Sequence, residues 1–164
     1  MTITLTDHVY NDIARHAEET YPNECVGLIF GWINGTRTEV EDIFPVPNRW
    51  TAEVGLTAAD AEHSLRDRFY LDPRDYLRAE RAARERGLDV VGCYHSHPDH
   101  PAVPSPRDVT GAQGIGGGSR FAFLIQSVRG GHAAQLTAWT LDEAGRRFVA
   151  EELVRVEGAA RQEA

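Results

Sequence analysis

The feature that most limits what this chain can fold into is a dense run of prolines near its middle. Four of its eight prolines fall within residues 98–106, directly after residues 89–94, whose apolar side chains are typical of a buried strand. Because proline fixes φ and lacks an N–H group, this segment cannot join the interior of a helix or of a sheet. The pattern therefore predicts a buried strand followed by a stiff, irregular loop, which is suited to holding side chains in place.

Two segments carry the pattern of amphipathic helices. Residues 7–20 place apolar side chains at every fourth position, and Thr6 precedes them as the expected N-cap. Residues 73–86 begin with proline after the N-cap candidate Asp72, and Gly87 stands where a helix commonly ends. We expect two long helices, with a short one starting near residue 106.

The remaining patterns predict strands. Residues 25–30 form an apolar run, and the pair Asn34 and Gly35 favours a hairpin turn that returns the chain through about Val46. Three further strands are expected over residues 121–128, 133–140 and 147–154, while residues 48–68 carry no clear pattern. The predicted fold is of mixed α/β or α+β class: a mixed central sheet flanked by the two long helices.

Composition narrows the classes of function. Seventeen basic against 25 acidic residues give a net charge of −8, which argues against nucleic-acid binding as the main function. Two cysteines cannot build a disulfide framework and suit a reducing compartment. Residues 1–20 show no signal peptide and no stretch is apolar enough to span a membrane, so we expect a cytoplasmic protein with one domain over 1–154 and a frayed tail over 155–164.

The most informative polar segment begins at the end of the predicted strand. Side chains alternate along a strand, so His95 and His97 point to the same side with Cα atoms roughly 6–7 Å apart. Two imidazoles can then converge on one metal ion, and Asp108, returned by the proline loop, is the natural third ligand. Two other interpretations remain open at this point: a surface histidine pair, and a structural capping box between Ser105 and Asp108.

These residues resemble the signature of the JAMM metalloproteases, also called MPN+ or JAB domains. That signature is H-x-H-P, six further residues, then S-x-x-D, with a glutamate well upstream. The order of elements is also similar over nearly the whole chain. The sequence matches every position of the signature: His95, His97, Pro98, residues 99–104, Ser105 and Asp108, with Glu24 upstream.

The resemblance implies a role for each matching residue. His95, His97 and Asp108 would bind one zinc ion, with a water as the fourth ligand. Glu24 would be the general base, and Ser105 would donate a hydrogen bond to the oxyanion that forms on the scissile carbonyl. The implied fold is a single MPN/JAB-like domain.

The compact size resembles the bacterial members of that family, which act on ubiquitin-like sulfur-carrier proteins ending in Gly-Gly. The implied activity is a zinc peptidase or isopeptidase that cuts after Gly-Gly and releases an amino acid such as cysteine, or a short peptide. A Gly-Gly tail can enter a narrow cleft extended and pair with a sheet edge. Alternatives are a non-catalytic scaffold of the same fold and a non-haem iron enzyme with the same two-histidine, one-carboxylate site.

Several nearby features have simpler interpretations. Cys93 lies two residues before His95 and so is expected on the same side of the strand. Both Cys93 and Cys25 are nevertheless expected to be buried, unreactive thiols. His100 is interpreted as an exposed loop histidine. The glycine-rich residues 111–118 lack the lysine of a phosphate-binding loop and are expected to form a mobile rim beside the site.

Overall fold

The computed structural model describes residues 1–54, 63–115, 118 and 120–157. Three helices and seven strands lie within these residues, with a 3₁₀ turn at Ala52–Val54. The helices are α1 (Asp7–Thr20), α2 (Pro73–Glu85) and α3 (Pro106–Ile115). The strands are β1 (Thr2–Thr6), β2 (Val26–Asn34), β3 (Arg37–Val46), β4 (Asp89–Pro98), β5 (Ala122–Arg129), β6 (His132–Leu141) and β7 (Phe148–Val156).

The seven strands close into a barrel in the order β1-β3-β2-β4-β5-β6-β7. Closure depends on β1, which pairs in parallel with both β3 and β7. The sheet is mixed as expected, but the prediction of a sheet flanked by two long helices is corrected in two respects. β1 joins the two ends of the sheet, and the helices have 14, 13 and 10 residues, which is ordinary for globular proteins.

The barrel wall separates two apolar clusters. Helix α1 packs Val9, Ile13 and Ala17 into the first cluster, together with Tyr94 of β4 and Leu124 of β5. The second cluster lies on the other face of the wall, where α2 and α3 cover it. Its buried members include Leu28 and Phe30 of β2, Ala79 and Ala83 of α2, Cys93 of β4, Ala112 of α3 and Phe123 of β5.

The predicted helix boundaries are confirmed to within one residue. Thr6 is the N-cap residue of α1, but its hydroxyl bonds His8 Nδ1 at 3.0 Å and makes no side-chain cap hydrogen bond. The side chain of Asp72 caps α2 by accepting from the Arg74 N–H, and Gly87 has a positive φ of 69° just after the helix. Among the described residues, no helix is long and apolar enough to cross a membrane.

The strand predictions are right in number from β2 onward and wrong in several boundaries. The hairpin turn is formed by Gly35 and Thr36 rather than Asn34 and Gly35, because Asn34 pairs with Arg37. β4 continues to Pro98 rather than ending at Tyr94, since its ladder with β5 runs through Pro98. Residues 55–62, 116–117, 119 and 158–164, including parts of the expected rim and tail, lie outside the described residues.

Close approach of two strands makes Gly92 a sensitive position. A Cβ added there would lie 2.3 Å from the carbonyl oxygen of Ala122. Gly92→Ala should therefore lower the free energy of unfolding by about 1–3 kcal/mol, the usual cost of overpacking. Urea unfolding measures this, with Gly111→Ala as control, because a Cβ on Gly111 meets nothing within 4 Å. Equal stability of the Gly92 variant and the wild type would contradict the tight β4–β5 contact.

Asp75 joins α2 to Arg49, which lies in the loop that follows β3. Its carboxylate is buried and accepts from Arg49 Nε at 2.7 Å and from an Arg78 guanidinium nitrogen at 2.9 Å. Hydrogen bonds from Arg49 and then Arg78 outweigh burial and lower the pKa of this carboxyl. A carboxyl whose pKa is lower in the folded than in the unfolded state stabilises the fold above its unfolded pKa, about 3.9. This contribution is lost as the pH falls through the folded pKa.

Asp75→Asn should consequently be less stable than the wild type at neutral pH, with a gap that narrows below about pH 4. Thermal unfolding of both proteins over a pH series measures the gap. Glu80→Gln on the same helix is the matched control, for which we expect a small and nearly constant difference. A gap for the Asp75 variant that stays constant or widens in acid would contradict the stabilising role of its charge.

Candidate metal centre

Three side chains from two elements meet at the face of the barrel covered by α3. His95 and His97 lie on β4 and point to the same side, with their Nε2 atoms 3.0 Å apart. Asp108 on the first turn of α3 completes the group. Its Oδ2 lies 3.1 Å from His97 Nε2 and its Oδ1 lies 3.3 Å from His95 Nε2. All three side chains are buried, so the sequence-predicted ligands lie together in the structure.

The start of α3 explains how Asp108 is held. Its backbone N–H donates to Ser105 Oγ at 3.1 Å, and its Oδ2 accepts from the Ser105 N–H at 2.9 Å. This reciprocal pair is a capping box, with Pro106 at the first helical position. The structural interpretation of these two residues is therefore confirmed and is compatible with a metal-ligand role for the carboxylate.

The loop between β4 and α3 orients His97. The Nδ1 of His97 lies 2.8 Å from the carbonyl oxygen of Pro101, which can accept a hydrogen bond only from an Nδ1–H group, so the neutral ring has its lone pair on Nε2. Two hydroxyls on neighbouring strands hold the same loop by its carbonyl groups: Ser127 Oγ donates to His100 and Thr137 Oγ1 to Ala102.

The electrostatics of the group follow from burial and mutual proximity. Burial lowers the pKa of His95, which favours the neutral imidazole. Burial opposes ionisation of Asp108, but the adjacent His95 and His97 outweigh it and hold the pKa of this carboxyl well below its usual range. The net effect on His97 is a raised pKa, since its bonds to Asp108 and Pro101 outweigh burial. The site therefore places an ionised carboxylate beside two imidazoles, an arrangement that favours a proton or a cation bound between them.

This donor set fits a zinc ion. Ligand atoms at about 2.0 Å from a tetrahedral zinc stand about 3.3 Å apart, and the three separations here are 3.0, 3.1 and 3.3 Å. Two Nε2 atoms this close repel each other unless a proton or cation lies between them. His95, His97 and Asp108 would hold the ion, which leaves a fourth position for another ligand.

Glu24 stands beside this group, on the segment that leads into β2. Its backbone N–H donates to the carbonyl oxygen of Leu65 at 2.7 Å. Its side chain is buried and lines a cavity of about 470 Å³ together with Asp108. Burial, and then the nearby charges of Asp108 and Asp67, raise the pKa of the Glu24 carboxyl well above its usual range. A buried carboxyl of this kind is suited to exchanging a proton.

The remaining walls of the cavity are largely apolar. Phe69 supplies one wall and stacks on the His95 ring, with centroids 4.5 Å apart and planes at 23°. Arg68 and Arg107 also line the cavity. The other apolar or aromatic lining residues are Val54, Tyr70, Leu71, Pro73, Tyr76 and Ile115. One of the three ligands, Asp108, therefore lines a largely apolar cavity together with Glu24.

Sequence reasoning missed Phe69 and Asn48, because both lie at or near the stretch of residues 48–68 that shows no periodicity. The only available signal was an aromatic side chain just before the α2 N-cap. Cys93 and Cys25 are buried, free thiols, as expected, and burial raises the pKa of Cys25 to about 12 and that of Cys93 well above its usual range. His100 is exposed, as expected, and contributes its backbone carbonyl to the loop.

Known proteins are similar in sequence to large regions of this chain. A probable TtuB-protein conjugate cleaving protease of Thermus thermophilus is 38% identical over 98 residues, 60% of this chain and 55% of that protein. A desampylase of Haloferax volcanii is 37% identical over 145 residues, 86% of this chain and 90% of that protein. The match thus spans about half of the Thermus relative and nearly all of the Haloferax one.

Comparison of structures agrees with the comparison of sequences. A protein of Desulfitobacterium hafniense solved in solution matches with a TM-score of 0.74 and 26% identity, over 96% of this chain and 95% of that one. The family model for prokaryotic homologues of the JAB domain matches residues 6–142, which contain Glu24, both histidines, Ser105 and Asp108. The chain belongs to the prokaryotic JAB-domain family.

Proposed function

We propose that this protein is a zinc-dependent peptidase or isopeptidase that hydrolyses the bond after the C-terminal Gly-Gly of a ubiquitin-like sulfur-carrier protein. The observation that carries the proposal is the burial of Glu24 beside the group of His95, His97 and Asp108, in a cavity that Glu24 and Asp108 both line. The products would be the carrier ending in Gly-Gly and an amino acid such as cysteine, a short peptide or a released conjugate.

The names of two relatives support cleavage of a protein conjugate. One is a probable conjugate-cleaving protease and the other a desampylase. The proposal of a ubiquitin-like substrate with a Gly-Gly end rests on the resemblance of the sequence signature to the JAMM family. The family match and the position of each signature residue in one site support the same chemistry.

The chain's own residues account for proton transfer and for orientation. When bound, zinc supplies a Lewis acid that polarises a carbonyl oxygen and lowers the pKa of a water molecule. Ionised Glu24 accepts the proton of the attacking water and returns it to the departing amine, a role that its raised pKa favours. Ser105 Oγ accepts from the Asp108 N–H, so its own hydrogen can be donated to the developing oxyanion.

The cleft suggests how the tail enters. The described strands close into a barrel, but β6 pairs with β7 only over Ala138–Leu141, so pairing of the tail with a sheet edge stays a prediction. We infer that the tail also lies in the cavity between the segment at Phe69 and helix α3. The glycines would lie beside Glu24, and larger residues would contact the apolar walls.

A panel of defined substrates tests the proposed function. A ubiquitin-like carrier protein is prepared with its Gly-Gly extended by cysteine, extended by a short peptide, or joined to a lysine side chain. The control carries Ala-Ala in place of Gly-Gly. Zinc-loaded protein should cut after Gly-Gly in at least one of the three and leave the control intact, as measured by product mass.

Three outcomes would contradict the proposal in different ways. Cleavage of the Ala-Ala control at an equal rate would remove the Gly-Gly requirement. Tight binding of the carrier with no cleavage of any substrate would indicate a non-catalytic scaffold. Activity with iron but none with zinc would indicate the non-haem iron alternative.

A further inference from the structure

The side-chain amide of Asn48 joins two segments of the site that are distant in sequence. Its Nδ2 donates to the carbonyl oxygen of Glu24 at 3.0 Å and to that of Arg68 at 2.9 Å. Its Oδ1 accepts from the Trp50 N–H at 3.2 Å and from the Tyr70 N–H at 3.1 Å. These four bonds use both donors and both acceptor positions of the amide.

The two joined segments carry different parts of the site. One segment holds Glu24, the buried carboxyl beside the metal-ligand group. The other holds Phe69, whose ring stacks on His95 and lines the cavity. Asn48 bonds the residue on each side of Phe69, so it fixes that stretch of backbone as well as the backbone of Glu24.

The Asn48 segment is itself anchored from outside the site. Its neighbour Arg49 donates to the buried carboxylate of Asp75 on α2, and Trp50 is buried. The segment that carries the Asn48 amide is therefore anchored to α2, and the amide in turn bonds the backbone of Glu24. No bond connects Asn48 to His95, His97 or Asp108 among the hydrogen bonds of the described residues.

We propose that Asn48 is a positioning residue that fixes the position of Glu24 relative to the cavity wall at Phe69. It takes no part in metal binding, for which β4 and α3 supply the ligands. This inference rests on the proposed function. The two halves of the amide bond different groups: the donor half holds the carbonyl groups of Glu24 and Arg68, and the acceptor half holds the N–H groups of Trp50 and Tyr70. A displacement of a reacting group by about 1 Å can cost a hundredfold in rate.

Two variants test the donor half and the acceptor half of the Asn48 amide separately. Asn48→Ala removes all four bonds, and we expect kcat to fall about ten- to a hundredfold with a rise in KM. Asn48→Asp keeps the acceptor for the Trp50 and Tyr70 amides and loses the bonds to Glu24 and Arg68, so KM should return part of the way toward the wild-type value while kcat stays low. Zinc content should remain one ion per chain in both. Gln126→Ala is the matched control, because this buried amide also joins backbone segments, at β5 and β6.

Amide hydrogen exchange provides a readout that does not require activity. Exchange at Trp50 and Tyr70 should accelerate in Asn48→Ala and remain slow in Asn48→Asp and Gln126→Ala. If the wild type cuts no carrier substrate, the proposed function fails while this exchange pattern still tests the placement of the amide. Wild-type kcat in Asn48→Ala, loss of zinc in that variant, unchanged exchange, or an equal fall in kcat for Gln126→Ala would each overturn the inference.

Discussion

Glu24→Gln is expected to retain zinc and to lose about 10²- to 10⁴-fold in kcat, the usual contribution of a general base. The substitution keeps the size of the side chain and removes its ability to accept a proton. The result is measured by steady-state cleavage of the carrier substrate, with metal content determined on the same sample.

Asp67→Asn is the matched control for Glu24→Gln. This second carboxylate lines the same cavity, but it is substantially exposed and bonds His63 and the Ser64 N–H. Its replacement removes one of the charges that raise the pKa of Glu24 and should change kcat by less than about tenfold, a smaller effect than loss of the base itself. Unchanged turnover in Glu24→Gln, or equal losses in both variants, would remove Glu24 as the base.

Asp108→Ala has the second large expected effect, the loss of bound zinc. The carboxylate is the only anionic donor in the group, and it lies 3.1 to 3.3 Å from both imidazole Nε2 atoms. We expect zinc affinity to fall by well over a hundredfold, since disturbing even an outer partner of a ligand costs about 10- to 100-fold. Zinc content after dialysis against a weak chelator measures this loss.

A second variant separates metal binding from folding of α3. Asp108→Asn keeps an oxygen that can accept from the Ser105 N–H, so the cap of the helix is retained. It should weaken zinc binding strongly with a smaller loss of thermal stability than Asp108→Ala. If either variant still holds one zinc per chain after dialysis, Asp108 is not a ligand.

The sequence was most informative where chemistry depends on local spacing. The alternation of a strand places His95 and His97 on one side, and the four-residue pattern from Ser105 to Asp108 both starts a helix and mounts a carboxylate. The proline loop between them is short, which limits how far apart the two elements can lie. These parts of the site could be predicted because each depends on contacts close in sequence.

Closure of the barrel could not be predicted in the same way. β1 spans five residues and leads directly into α1 without a turn, and its partners are strands β3 and β7. Pairing with β7 joins residues about 150 positions apart, and no local pattern encodes such a contact. The extension of β4 through Pro98 has a similar cause, because it depends on the ladder with β5.

The walls of the cleft were also beyond local reasoning. Phe69 stacks on His95, 26 positions later in the sequence, and Asn48 bonds Glu24 and the segment at residues 68–70. These contacts join irregular segments, whose course is set by individual hydrogen bonds rather than by a repeating apolar pattern. The structure was therefore needed to show what holds Glu24 in position.

The most direct test of the account is one cleavage reaction followed by intact-mass spectrometry in water enriched in oxygen-18. Zinc-loaded wild type and Glu24→Gln are each incubated with a carrier protein extended past its Gly-Gly. Only the wild type should yield a carrier ending in Gly-Gly, with one heavy oxygen in its new carboxyl group. An intact substrate with the wild type, or equal cleavage by the two proteins, would contradict hydrolysis by a site in which Glu24 is the base.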